Sequence, residues 1–126
     1  MSMARAVLGI LTTYPDGSSV RGPRWPQWRT FSEIIRAGRE HGVLVYVFSP
    51  GGVDWHRRQV LGWRASAQGA RHWYARWFPM PDVVYNRVPT RTAEGKPSVR
   101  ECLRRLRREL DGRVFNPHYL NKAVLS

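Results

Sequence analysis

The chain has 126 residues, a net charge of +12 and 42% hydrophobic residues, six tryptophans among them. This is enough for one domain spanning residues 1–126 with a modest core, and too little for two; a disordered basic tail would lack the aromatics. A single cysteine excludes an internal disulfide framework and a cysteine-based zinc finger. No apolar run approaches the roughly 20 residues of a membrane span. Residues 1–12 are too short and too lightly charged for a signal peptide. A cytoplasmic, reducing setting without a membrane partner is expected.

Taken in order, residues 5–12 form an apolar run and predict a buried strand. Residues 13–27 carry Pro15, Asp16-Gly17, Gly22, Pro23 and Pro26, and read as a loop. A helix is expected from about Trp28 to His41. Thr30 and Glu33 have capping-box spacing near its start. Trp28, Phe31, Ile34, Ile35 and Gly38 share one stripe, and Gly38 would let the helix sit close to a sheet. Gly42 ends it. Residues 43–48 are a second buried strand, so a parallel strand–helix–strand unit is expected.

The middle of the chain changes character. Ser49-Pro50-Gly51-Gly52 reads as a turn. Residues 58–66 and 70–78 predict a β-hairpin around Gln68-Gly69. In its second strand Trp73, Ala75 and Trp77 share one face, and His72, Tyr74, Arg76 and Phe78 the other. Residues 82–88 predict another strand, and 89–97 a polar loop. Ser98 and Glu101 have capping-box spacing, with a helix from about Val99 to Leu110. Gly112 closes it, and Val114-Phe115 is a short strand. The sum is an α/β domain with a mostly parallel sheet and an inserted antiparallel hairpin.

Candidate chemistry is sparse. Phosphate-loop motifs are absent. His41, His56, His72 and His118 lack ligand-like spacing, so no metal site is expected. Cys102 falls on an apolar helix stripe and reads as a small core residue. Asp82 reads as a strand-start residue. Asn86 and Arg87 end a buried strand, where open α/β sheets bind ligands, and Arg91 follows in the loop. Arg87 suits a carboxylate or phosphate. Asn116 also ends a strand before a proline. Hydrogen bonds that brace the loops explain these residues equally well.

The basic residues support two readings as well. Arg100, Arg104, Arg107 and Arg108 form a stripe suited to phosphates. A solvated face, with Glu101 and Arg105 paired, is the commoner fate of such stripes. The hairpin carries Trp63, Arg64, Trp73, Arg76 and Trp77, which suit base stacking or plain packing. Only two of the 21 basic residues are lysines, and an arginine excess also arises from a GC-rich genome.

Several segments together resemble one family. They are Leu8–Thr12, Arg36–Gly42, Val45–Pro50, Phe78–Arg91 and Phe115–Pro117, with Val53-Asp54-Trp55 and Gly62-Trp63 fitting between. The chain resembles, from about Val7 to Lys122, the N-terminal region of YheC/YheD-type endospore coat-associated proteins of the ATP-grasp superfamily. The resemblance implies a Rossmann-like pre-ATP-grasp domain that shapes the acceptor side of a cleft. It implies ATP and magnesium only for full-length members, held by a downstream ATP-grasp domain that this chain lacks. Asn121-Lys122 match the start of that continuation, while Ala123 replaces an expected aromatic.

The expectation is a module with no catalytic residues and no cofactor of its own. It would be a fragment, a truncated gene product or a separately encoded half. Its partner would be a separate ATP-grasp domain or a second copy, with spore-coat association implied by the family. Asn86, Arg87, Arg91 and Asn116 are the ligand or docking candidates. The alternative is a basic nucleic-acid-binding module using the arginine stripe and the hairpin.

Overall fold

A computed structural model describes residues 6–13, 28–66, 69–88 and 95–115. In chain order, the described residues form strand β1 (Ala6–Leu11), helix α1 (Trp28–Glu40), β2 (Val43–Phe48), a 3-10 turn (Pro50–Gly52) and β3 (Val53–Asp54). Then come β4 (Gln59–Ser66), β5 (Gly69–Pro79), β6 (Val83–Asn86), helix α2 (Pro97–Glu109) and β7 (Val114–Phe115). This is a mixed α/β fold with one seven-stranded sheet.

The sheet has two halves. β1 is central and pairs in parallel with β2 on one side and β6 on the other, and β7 follows β6 in parallel. The second half is antiparallel: β4 pairs with β2, β3 and β5. The sheet is therefore mixed rather than mostly parallel. The hairpin continues the main sheet because β4 joins β2 at Val47 and Trp63. β3, which the sequence does not announce, resumes that pairing after the 3-10 turn.

The alternation of strand residues directs two helices to opposite faces. Ile10, Val45 and Val47 pack with Phe31 and Ile35 of α1. Val7, Leu11, Tyr46, Phe48 and Val84 pack with Val99, Cys102, Leu103 and Leu106 of α2. β1 and β2 are thus covered on both faces, which their apolar runs require. The antiparallel half is tied in through Tyr46. Its ring stacks on Phe78 at 4.9 Å and its hydroxyl donates to the Pro79 carbonyl at 2.8 Å. A Cβ at Gly62 would lie 2.6 Å from Tyr46, so the small residue makes room for the ring.

α1 begins at Trp28, as expected, which puts Thr30 inside the helix rather than at its cap, whereas the second helix starts two residues before the expected Val99. α2 has Pro97 in its first turn and Lys96 at its N-cap, without a side-chain cap. Proline suits that position because its missing N–H would be unpaired there anyway. Ser98 is therefore helical, and Glu101 is used elsewhere. Of the expected loop at 13–27 only Thr13 is described. Gln68 in the hairpin turn, Arg91, Asn116, His118 and Asn121–Ala123 lie outside the described residues.

Two predictions follow from the packing. Gly38 faces β2 so closely that a Cβ would lie 2.5 Å from Val45 Cγ2 and 2.9 Å from the Val43 carbonyl. Alanine normally favours a helix over glycine by about 1 kcal/mol, yet Gly38→Ala should lower stability by about 1–2 kcal/mol through overpacking, read by urea unfolding. Burial pushes the Cys102 thiol from its ordinary value near 9 up to about 12. Burial, and secondarily the charge of Asp82, also raises the Tyr46 phenol. Raised folded values mean stability held below pH 9 and lost as pH climbs toward 12. The urea midpoint should fall over that window, and less so in Cys102→Ala; a flat midpoint would contradict this.

Candidate functional site

β1 leads through α1 to β2 on one side, whereas β6 leads through α2 to β7 on the other. The chain order reverses between β1 and β6. At such a reversal the connections diverge and leave a crevice at the carboxyl ends of the strands. Here those ends are Leu11-Thr12-Thr13 and Asn86-Arg87-Val88.

The two ends are held together by the backbone. Leu11 pairs with Asn86, and the Arg87 N–H donates to the Leu11 carbonyl at 2.8 Å. The Thr12 N–H donates to the Phe48 carbonyl at 2.9 Å, which keeps the end of β2 in line. Thr12 and Asn86 are the two buried polar residues among the described residues, at 2% and 3% exposure. Asn86 Oδ1 accepts from the Val88 N–H at 3.1 Å, bracing the turn out of the strand. Arg87 is half-buried. Its guanidinium lies over the Tyr85 ring, 5.5 Å from the centroid, with Nη1 3.4 Å from the phenol oxygen. A guanidinium held this way offers a planar fork to a carboxylate or phosphate.

At the opposite ends of the same strands, Asp82 is structural. Its Oδ2 accepts from the Val7 N–H at 2.8 Å, and its own N–H donates to the Val7 carbonyl at 2.8 Å. Thr12 received no role from the sequence, although a polar residue directly after a central apolar strand was the available signal.

The arginines of α2 sit on its outer, exposed face. Glu101 pairs with Arg104 rather than Arg105, through Nε–Oε2 at 2.9 Å and a second bond from Nη2 to Oε1. Those bonds hold the Glu101 carboxyl below its ordinary range and raise the Arg104 guanidinium. Arg105 lies over the Trp55 ring at 4.6 Å instead. The hairpin tryptophans belong to the other face. Trp63 and Trp73 pack against the α1 cluster, and Trp77 alone is widely exposed. The arginine stripe and the tryptophans therefore cannot form one interface. Among the described residues no three His, Cys, Asp or Glu side chains gather as a metal set.

Among curated proteins, the chain is similar to the endospore coat-associated protein YheD of Bacillus subtilis (strain 168), 27% identical over 92 residues. The match takes in 73% of this chain and 20% of the relative, so the chain spans about a fifth of that protein's length. No family model and no solved structure matches the chain. The expected resemblance stands as a distant similarity to YheD.

Asn86→Ala leaves the Val88 N–H without its acceptor in a partly buried turn. It should cost about 1–3 kcal/mol in urea unfolding. An unchanged midpoint would show that Asn86 does not brace the site.

Proposed function

We propose that this chain is the non-catalytic, substrate-side module of a YheD-type ATP-grasp assembly, with a Rossmann-like core. Its crevice between β1 and β6 receives an anionic group of a ligand or of a partner domain. The observation that supports this is the place of Asn86-Arg87. They stand at the carboxyl end of β6 beside Thr12, where the chain order reverses, with the guanidinium supported by Tyr85. The similarity to an endospore coat-associated protein supports a coat-associated setting.

ATP-grasp ligation requires magnesium to offset phosphate charge as an acyl phosphate forms. The described residues offer no carboxylate cluster for that ion. On this reading ATP and magnesium are held by the partner domain, and no chemical step is assigned to these residues. What the chain contributes is position. Arg87 orients the anion, and Asn86 fixes the turn that carries it.

Calorimetric titration tests the proposal. The chain alone should bind no Mg-ATP, and should bind a separately expressed ATP-grasp domain of the YheD type. Arg87→Ala should weaken that association at least tenfold without unfolding the chain. Tight Mg-ATP binding by the chain alone would overturn the proposal, as would undiminished association by Arg87→Ala.

A further inference from the structure

The outer face of α2 carries a second feature, separate from the β1–β6 crevice. Arg100, Arg104 and Arg107 line an open groove of about 680 Å³. Gly95 and Pro97 border it, Leu103 contributes to its wall, and Glu101 stands beside Arg104. Arg108 continues the stripe at the end of the helix. With 1.5 Å rise per residue, Arg100 to Arg107 spans roughly 10 Å.

The surrounding contacts sort the helix's five arginines. Arg104 is occupied by Glu101. Arg105 is turned away onto Trp55. Glu109, the other carboxylate of α2, is taken by Arg58 at 2.9 Å. Among the described residues Arg100, Arg107 and Arg108 have no acidic partner within ion-pair distance. Two exposed guanidinium groups, Arg100 and Arg107, thus line the groove without an ion-pair partner among the described residues, and Arg108, which acts on Glu101 only at longer range, extends the stripe on a chain whose net charge is +12. Holding like charges together is favourable only when an anion joins them.

We propose that this groove binds the phosphate backbone of a nucleic acid, without sequence preference. Three features favour that polyanion over a lipid surface. The apolar residues of α2, from Val99 to Leu106, are buried in the core, so its outer face has nothing to insert into a bilayer. The feature is a concave groove, which fits a rod-like backbone better than a flat membrane. The cations that line it among the described residues are arginines, whose planar forks match phosphate oxygens in a fixed geometry. Among the described residues no aromatic lines the groove, which favours backbone contact over base stacking and sequence readout.

Glu101 gives the proposal a specific handle. Its carboxylate competes with phosphate for Arg104 and repels the backbone. Removing its charge should free a fourth arginine for the groove.

The test is fluorescence anisotropy of a labelled mixed-sequence 20-base-pair DNA with the full chain, from 25 to 200 mM salt; these are assay conditions on the order of those in which counterion release is measured. Wild type should bind at low salt and weaken steeply as salt rises. Each phosphate neutralised contributes about 0.9 to the log–log slope. The combined Arg100→Ala, Arg107→Ala, Arg108→Ala variant should therefore lose roughly two to three units of slope and at least tenfold in low-salt affinity. Glu101→Gln should bind several-fold tighter, with a steeper slope. Arg36→Ala with Arg39→Ala removes two charges from α1 on the opposite face, and should change the slope by less than about one unit.

Circular dichroism melting checks folding; if the triple variant does not fold, Glu101→Gln and single Arg107→Ala decide. Absence of DNA binding at the lowest salt overturns the proposal. So does an equal loss from the α1 and α2 variants, which would make the attraction one of net charge alone. Binding to phosphatidylglycerol vesicles with none to DNA would overturn it in favour of a lipid surface.

Discussion

The two hydrogen bonds between Asp82 and Val7 set the register on which the described site depends. The Asp82 carboxylate takes the Val7 N–H, and the Asp82 N–H takes the Val7 carbonyl. With that end fixed, Asn86 stands opposite Leu11, and the Arg87 N–H meets the Leu11 carbonyl. A slip of one residue would reverse every side chain of β6. Val84 would leave the α2 core, and Asn86 would leave the position from which it holds the following turn. A carboxylate at one end of a strand thus fixes which residues meet at the other.

Packing on both faces of β1 makes this register hard to abandon. Leu11 and Val7 face α2, while Ile10 faces α1. At Gly9 there is no room for more than hydrogen, since a Cβ would meet Phe48 at 2.8 Å and Pro81 at 3.3 Å. Glycine here is a matter of volume, because Phe48 must cross the central strand to reach the α2 core. The same logic holds at Gly62, where the ring of Tyr46 occupies the space. These two positions let large aromatics fill a sheet face that would otherwise need many smaller side chains.

Much of the parallel half was legible in the sequence. β1 and β2 are runs of apolar residues too short for buried helices, and α1 shows its buried stripe through Phe31, Ile35 and Gly38. What was hidden depends on contacts distant in sequence. β3 is two residues long and exists because β4 returns to pair with it. The partner of β4 is set by tertiary pairing with β2, which periodicity does not encode. Glu101 has arginines three and four residues ahead; Trp55, nearly fifty residues earlier, captures Arg105 and leaves Glu101 to Arg104. Asn86 and Arg87 stood out because polar residues followed an apolar strand. Their neighbour Thr12 follows one too, but its importance comes from β1 lying beside β6, which only the topology reveals.

The link between the two halves of the sheet has an evolutionary consequence. β4 meets β2 through the Val47–Trp63 pair, and four residues, three of them in the 3-10 turn, separate β2 from β3. The carboxyl ends of β1 and β6 take none of their described residues from β3, β4 or β5. Selection can therefore lengthen, trim or redecorate the hairpin while the β1–β6 pairing keeps its register, provided that Tyr46 retains an aromatic to stack upon. A protein built this way can acquire new neighbours at one edge without renegotiating the strand pairing at its centre.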